Sequence, residues 1–275
     1  MRSTHSLRHI SGFLSAAIIG VMAVAAAPAS AQDIDKINAD KGCRKCDLRL
    51  GELRQLNIDG GNFDGAILRE ADMKGAVLPN SSFREADLRR TEAERADMSS
   101  ADFTGASMRG ADLEKANLPR ANFKGADLRN TDFNETNLEG ADLTNTDLRD
   151  STLIRVNAAN ASFKGAKMDV VDLERSNLSG ADFSGARLKH SDLDRIKGVG
   201  ASFEGADLTG VRLSSADLTG ANLRDADLSD ALLRHTRLPG ADLTGVEGLD
   251  PARIIGACGD ANTKLPKGIT LEPCS

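Results

Sequence analysis

Residues 101–130 read ADFTGASMRGADLEKANLPRANFKGADLRN, with a large apolar residue in the middle of every group of five. The same spacing runs without insertion from Leu48 to Leu243, and the middle position is Leu, Phe, Met or Ile in all but three groups. The exceptions are Ala93, Ala158 and Gly198. A helix needs apolar residues about every 3.6 positions and a strand about every 2, so a strict period of five fits neither. The pattern therefore predicts a solenoid whose wall turns a corner once per unit.

The phenylalanines indicate how many units complete one coil. Of the eight phenylalanines within the repeats, only Phe133 lies off a series in which the separations are multiples of twenty residues. Four units therefore make one coil, and the rings of the series should stack on one inner wall, where offset stacking adds about 0.5–1.5 kcal/mol per pair. The series is Phe63, Phe83, Phe103, Phe123, Phe163, Phe183 and Phe203.

Individual units follow the pattern A(D/N)LXX, as in Ala101-Asp102-Phe103-Thr104-Gly105 and Ala126-Asp127-Leu128-Arg129-Asn130. In this pattern the chain resembles the pentapeptide-repeat family over residues 46–245. The resemblance implies an all-β fold, a right-handed quadrilateral β-helix solenoid, and the period of twenty supports this independently. The central apolar residue and the small residue two positions before it should fill each coil and leave no lumen.

The beginning of the chain differs from the repeats. Arg2 and Arg8 precede an apolar stretch over residues 10–27, and Ala29-Ser30-Ala31 offers an A-x-A cleavage site. Residues 1–31 therefore predict a secretory signal peptide, and the mature protein is expected to be periplasmic or secreted with no membrane span. A retained membrane anchor is the alternative.

A solenoid needs its open ends covered, because exposed strand edges recruit other chains. Residues 32–45 predict an N-terminal cap and residues 246–275 a C-terminal cap stapled by a disulfide. In the resembled family dimers form through such ends, so the resemblance allows a homodimer.

The C-terminal cap is expected to contain a short helix. Asp250 is suited to cap its N-terminus with Pro251 at the first helical position. The helix should include Arg253-Ile254-Ile255 and stop at Gly256 or Gly259.

Export changes the interpretation of the four cysteines, which form one pair at each end of the rod. Because the rod is too long for a bond between its ends, only 43–46 with 258–274 can form within one molecule. The C-x-x-C spacing of the first pair fits a staple at the first coil, and also a thiol-disulfide redox protein as an alternative function. No metal site is expected, because no His or second Cys pair lies within reach. The cysteines are Cys43, Cys46, Cys258 and Cys274.

Catalysis is not expected. After removal of the leader, the two histidines, His190 and His235, fall on different walls, and the chain has no Trp or Tyr. Asp at the second position of many units, such as Asp102 and Asp112, is explained by side chains that bond nearby turn backbone. We predict no catalytic residue, cofactor or metal.

The outward feature that goes beyond the repeat is a column of arginines, one per coil. Asp169 interrupts this arginine column and Lys189 resumes it. Stacked like charges repel, so the column is either neutralised locally or used for binding. A second basic column lies on the next wall. The arginine column comprises Arg49, Arg69, Arg89, Arg109, Arg129 and Arg149, and the second column comprises Arg95, Lys115, Arg155, Arg175 and Arg195.

Neighbouring carboxylates favour local neutralisation of the arginine column. Asp47, Asp87, Asp127 and Asp147 each precede an arginine of the column by two residues, while Glu70 and Asp150 follow two others. If the column docks a partner, that partner should be extended and anionic, since arginine pairs bidentately with carboxylate and phosphate. An envelope polysaccharide, a phosphorylated polymer and an acidic protein edge all meet this description.

Overall charge argues against nucleic acid as a partner. The net charge of −6 becomes about −8 when the two leader arginines are removed. An acidic rod without an aromatic platform is a poor nucleic-acid binder. Some members of the resembled family mimic duplex DNA and act on gyrase, so the resemblance implies a DNA-mimic rod acting on a topoisomerase if the chain is not exported. The main prediction is an exported, non-catalytic scaffold or interaction module.

Overall fold

Every five-residue unit from residue 46 to 245 contributes one single-residue β-bridge and one turn. The bridge partner lies twenty residues ahead, as in Asp47 with Ile67 and Asp87 with Ser107. The amide of Leu48 donates to the carbonyl of Ile67 at 2.8 Å, and the amide of Ile67 donates to the carbonyl of Cys46 at 2.9 Å. The prediction of four units per coil is confirmed, and the fold is an all-β, four-sided β-helix.

This computed structural model describes residues 31–274. The predicted signal peptide, residues 1–31, lies outside these residues apart from Ala31. A search of the described helices for one that is both long and apolar enough to cross a membrane found none.

The corners are β-turns whose backbone is alike on all four sides of the rod. The amide of Ala66 donates to the carbonyl of Phe63 at 3.0 Å and closes one such turn. The last residue of each unit from Lys45 to Gly245 has a positive φ, with Gln55 as the exception. Glycine alone tolerates this region without steric cost, yet polar and charged residues also adopt it here. Glycine is more frequent at the corners that follow the phenylalanine wall, but φ has the same sign there as at the other corners.

Aspartates at the second position hold these turns from outside. The Oδ1 of Asp102 accepts the amide of Thr104 at 2.9 Å, and the Oδ1 of Asp112 accepts the amide of Glu114 at 3.0 Å. Such Asx bonds satisfy amides at the start of a turn. The turn-forming role predicted for these aspartates is confirmed.

The interior is filled by the two inward positions of each unit, which are buried throughout the repeats except at the partly buried Cys46. The phenylalanine rings stack, with centroids 5.0 Å apart for Phe63 and Phe83 and 4.6 Å apart for Phe163 and Phe183. Where the small position is Ser or Thr, the hydroxyl donates to a backbone carbonyl, as Thr136 does to Leu113 at 2.7 Å. A buried polar group with such a partner is not destabilising.

The N-terminal end is covered by helix α1, Ala31–Ala39. Its side chains Ile34 and Ile37 are buried in the same core as the first coils. The Oδ1 of Asn38 accepts the amide of Asn57 at 3.3 Å. The helix thus places apolar surface over the open end of the solenoid.

The predicted C-terminal helix is shorter than expected. Asp250 caps it by accepting the amide of Ala252 at 2.8 Å, but only the 3₁₀-helix Pro251–Arg253 forms. The carbonyls of Arg253 and Ile255 instead accept amides from the preceding coil, both at 2.9 Å. Because these groups resume inter-coil pairing, the chain cannot continue as a helix beyond Arg253.

Pairing with the preceding coil continues into the C-terminal cap. Arg237 pairs with Cys258 and Asp242 with Lys264, so the register grows to 21 and then 22 residues. Strand β1, Cys258–Gly259, then pairs in parallel with strand β2, Glu272–Pro273. The disulfide Cys258–Cys274, with Cα atoms 4.8 Å apart, holds these two strands together.

Candidate functional site: the arginine column

The six arginines of the column occupy the same place in successive coils. Each follows the buried central residue of its unit and is the first residue of the turn, so its side chain points away from the core. Because bridges join residues twenty apart, the coils bring these positions into register along one wall. The structure therefore assembles all six predicted residues into one column.

Four of the six arginines are neutralised in the way the sequence indicates. The Nε and Nη2 atoms of Arg89 donate to the two carboxylate oxygens of Asp87, both at 2.7 Å. Equivalent Nη2 to Oδ2 distances are 2.5 Å for Arg49 with Asp47, 2.6 Å for Arg129 with Asp127 and 2.6 Å for Arg149 with Asp147.

These hydrogen bonds lower the pKa of all four aspartates below the ordinary value. The hydrogen bond from the arginine two residues later is the largest cause in each case, and burial of the carboxylate acts in the opposite direction. The four carboxylates therefore stay ionised at neutral pH and cancel the charge of their arginines.

Arg69 departs from this arrangement because Ile67 stands where the four paired coils have aspartate. Its Nη2 instead reaches Asp87 of the next coil at 2.7 Å, so that one carboxylate serves both Arg69 and Arg89. The Nε of Arg69 is buried and has no acceptor among the described residues. An unmade hydrogen bond at a buried donor is unfavourable, so the position of Arg69 is less favourable than that of the four paired arginines.

Arg109 departs further, because Ser107 stands in place of the aspartate. Within residues 31–274 it forms no ion pair, and Asp127, the next carboxylate along the column, is engaged by Arg129. Arg109 is therefore the one member of the column whose charge no described carboxylate cancels.

Glu70 and Asp150 do not neutralise the arginines that they follow in sequence, as the sequence had indicated they would. Glu70 does not neutralise the adjacent Arg69 but pairs with Arg90 of the next coil at 3.2 Å. In the described part of the chain Asp150 pairs with no cation. Both lie at the corner residue of their unit, at a positive φ.

A surface pocket of about 440 Å³ opens where the neutralisation is weakest. Its lining includes Arg69, Arg89 and Arg109 of the column, together with Arg90 and Asn130. The formal charge of the four arginines and the contacting Asp87 and Glu70 is about +2. The middle of the column is therefore a concave, cationic site surrounded by donors.

The second basic column shares carboxylates as the first does, and Arg95 forms no ion pair with any described residue. Arg195 pairs with Glu174 at 2.5 Å, and Arg175 reaches the same carboxylate at 3.3 Å. Lys115 and Arg155 both approach Glu135, at 3.7 Å and 3.8 Å. This column is therefore similar to the first in its ion pairing and serves as a charge-matched comparison for it.

The first cysteine pair lies at a corner of the coil that follows α1. Cys43 and Cys46 form a disulfide with Cα atoms 5.6 Å apart. The amides of Cys43 and Lys45 donate to the next coil at 2.8 and 2.9 Å, which ties the C-x-x-C segment into the ladder. The pair follows the C-terminus of α1, whereas a redox-active dithiol typically lies at a helix N-terminus. This placement favours a structural disulfide at the first coil. The redox alternative stays a prediction.

Metal ligation finds no support among the residues described, where no group of three or more His, Cys, Asp or Glu could hold an ion. Ser107, Ile67 and Arg90 belong to the site although the sequence pattern did not predict them. The signal for the first two is in the sequence, as interruptions of the aspartate series that precedes the arginines by two residues. Arg90 carries no such signal, because its part in the pocket depends on the neighbouring coil.

Comparison with known proteins gives the family. The chain matches the family described as Pentapeptide repeats (8 copies) in overlapping segments that run from residues 46–84 to residues 212–247. No curated protein matches the chain.

Three solved structures that match the chain have TM-scores below 0.5. HetL, a pentapeptide repeat protein involved in heterocyst differentiation regulation in the cyanobacterium Nostoc, is 29% identical over 82% of this chain and 93% of its own, with a TM-score of 0.44. A pentapeptide repeat protein of the Arabidopsis thaliana thylakoid lumen is 28% identical over 39% of this chain and 71% of its own, with a TM-score of 0.27.

The plasmid-mediated fluoroquinolone resistance protein QnrB1 is 22% identical over 75% of this chain and 92% of its own, with a TM-score of 0.28. Similarity at this level gives no argument about a partner, and the DNA-mimic alternative stays a prediction. The family match, by contrast, covers most of the chain and coincides with the coils of the solenoid. The chain belongs to the pentapeptide repeat family.

Proposed function

We propose that this protein is an exported, non-catalytic scaffold that docks an extended anionic partner along its arginine column. The observation that carries the proposal is the pocket at the middle of the column, which three arginines of the column line and where Arg109 has no described ion pair. Arginine presents donors in a planar fork that suits carboxylate and phosphate groups. A filled β-helix holds these forks at a fixed spacing, so little conformational entropy is lost on binding.

The spacing of the column favours a partner with repeated charges. Coils stacked as strands lie about 4.8 Å apart, so the backbone positions of successive arginines repeat along the rod at that interval. An extended polymer with one anionic group per residue can follow the whole column. Envelope polysaccharides, phosphorylated polymers and acidic protein edges meet this requirement.

The experiment compares two quadruple charge reversals that change the net charge equally. In the first, Arg69, Arg89, Arg109 and Arg129 are changed to Glu. In the second, Arg95, Arg155, Arg175 and Arg195 of the second basic column are changed to Glu, which other corners accommodate at positive φ. Binding to polyphosphate and to a carboxylated polysaccharide is measured by calorimetry at physiological ionic strength.

The first variant should bind at least about tenfold more weakly than the parent, while the second keeps most of the affinity. Equal losses would mean that only the overall charge matters. No binding of either polymer by the parent protein would also refute docking of an extended anion.

Export has its own test. Residues 1–31 support a cleaved leader, and a periplasmic or secreted site would give the four cysteines an oxidising environment. Mass spectrometry of the protein recovered from the cell envelope and medium should find a chain that begins at Gln32. Recovery of the intact chain from the cytoplasm would refute this part of the proposal and make the DNA-mimic alternative worth testing.

A further inference from the structure

The net charge of the pocket at the middle of the arginine column favours a doubly charged anion over a singly charged one. Its four arginines face two carboxylates, Asp87 and Glu70, which leaves about two positive charges. A single carboxylate would cancel only one of them. A phosphate monoester carries about −1.5 to −2 charges at pH 7 and therefore matches the pocket.

The donors of the pocket also fit a tetrahedral oxyanion. Arg109 has no ion pair among the described residues, and the side chain of Arg69 is partly exposed at the pocket. Arg89 lies between them in the column and shares Asp87 with Arg69. Three guanidinium groups from three coils therefore converge on one concavity, where each can donate to a different phosphate oxygen.

The pocket is larger than a phosphate ion. Its volume of about 440 Å³ lies within the range of sites that bind small organic ligands. The glycine at the corner, Gly110, contributes no side chain to the lining, and Asn130 adds an amide. There is room for a group such as a sugar attached to the phosphate.

We infer that the pocket formed by Arg69, Arg89 and Arg109 binds the phosphate monoester of a small organic molecule or of a polymer's terminal residue. The inference rests on the proposed function, because it assigns a ligand class to the middle of the same column. Ser107 is the residue that creates the site, since an aspartate there would pair with Arg109 as four other coils do.

Ser107 offers a direct test with a matched control. Ser107→Asp installs the missing carboxylate, and Ser107→Asn has nearly the same size without the charge. Asp occupies this position in the coils of Arg49, Arg89, Arg129 and Arg149, so the variant should fold, which a melting curve checks. Calorimetry with the full disulfide-bonded protein then measures binding of inorganic phosphate, glucose 1-phosphate and acetate.

The parent and Ser107→Asn should bind phosphate and glucose 1-phosphate at one site per chain, with the sugar phosphate at least as tight. Ser107→Asp should bind both at least about tenfold more weakly. Affinity for glucose 1-phosphate should rise between pH 5 and 7.5, as this monoester loses its second proton near pH 6. Acetate should bind at least about tenfold more weakly than phosphate.

Three results would overturn the inference: similar affinities in Ser107→Asp and Ser107→Asn, acetate binding as tight as phosphate, or no phosphate binding by the parent. Binding of polyphosphate shows whether the proposed function fails together with this inference. If Ser107→Asp has no effect on phosphate but the quadruple Arg→Glu variant still loses polyphosphate, docking along the column stands and the pocket is not a monoester site.

Discussion

Phe133 meets Phe123 edge-on, with ring centroids 6.1 Å apart and planes at 87°, although the two residues belong to opposite walls of the rod. Phe123 also stacks on Phe103 at 4.9 Å with nearly parallel planes. Side chains from facing walls therefore touch across the interior, and the solenoid has a solid core at this level. Phe123 is in contact along the stack and across it.

Phe123→Ala should consequently destabilise the protein by about 3–5 kcal/mol, because both contacts are lost and a cavity remains. Phe123→Leu is the matched control, since Leu143 and Leu223 occupy the same wall position in other coils and are fully buried. We expect that substitution to be destabilising by less than about 1.5 kcal/mol. Urea unfolding measures both, and an unchanged transition in Phe123→Ala would contradict the role of this residue in the core.

Val170 offers a prediction about the corners. It is a β-branched residue at a φ of 58°, and its side chain is 58% exposed, so it gains little from burial. Val170→Gly should stabilise the protein by about 0.5–1 kcal/mol, because the left-handed region is unfavourable for a non-glycine residue by about 1–2 kcal/mol.

Gly185 provides the reverse substitution. Its φ is 65°, and an added Cβ would meet no atom within 4 Å, so only the backbone conformation opposes a side chain. Gly185→Val should be destabilising by about 1–2 kcal/mol. Thermal melting of both variants tests this prediction. A lower melting temperature for Val170→Gly than for the parent would contradict it.

Asp87 and Asp112 should respond to pH in opposite directions. Hydrogen bonding from Arg89, reinforced by Arg69, keeps the pKa of Asp87 below its ordinary value despite burial. Its contribution to stability is present above the unfolded-state pKa and is lost as pH falls through the folded-state pKa. Asp87→Asn should therefore be destabilising by about 1 kcal/mol at pH 7, with the difference from the parent vanishing in strong acid.

Burial raises the pKa of Asp112, and the carboxylates of Glu94, Asp132 and Glu114 raise it further. The charged form is thus disfavoured in the folded protein, so stability should increase as pH falls through the folded-state pKa. Asp112→Asn should stabilise by roughly 0.5 kcal/mol at pH 7, and its advantage should disappear below the unfolded-state pKa. Urea unfolding across the pH range would reject this assignment if Asp112→Asn and Asp87→Asn shifted stability in the same direction at pH 7.

Removal of the C-terminal disulfide should loosen the cap and leave the repeats intact. Cys258 and Cys274 close a loop with a sequence separation of 16, for which the chain-entropy model gives about 3 kcal/mol. The amide of Lys264 donates to Ala241 at 2.9 Å and reports on the last pairing with the solenoid. In the double Cys→Ser variant, hydrogen exchange at Lys264 should accelerate, while amides near Phe123 keep their protection.

The equivalent variant of Cys43 and Cys46 is the control, because that pair encloses only two residues within the first coil. It should leave exchange at Lys264 unchanged. Uniform acceleration along the whole rod after removal of the C-terminal disulfide would contradict an independent cap.

The sequence alone determined the interior of this protein. A five-residue period identifies which side chains point inward, and the twenty-residue spacing of phenylalanine gives the number of units per coil. These inferences succeed because the buried positions of a solenoid are local and repetitive, so no distant contact can change which residues fill them. The positions of the six arginines followed from the same register.

The tertiary structure decided which charges cancel. Asp87 serves both Arg69 and Arg89, whereas Glu70 pairs with Arg90 and not with its neighbour in sequence. Long side chains on a regular surface have several partners within reach on adjacent coils, and the geometry of the corners selects among them. Tertiary structure also shortened the predicted C-terminal helix, because the carbonyls of Arg253 and Ile255 accept hydrogen bonds from the preceding coil. Sequence periodicity thus determined the core, while inter-coil geometry determined the charge of the surface and with it the candidate site.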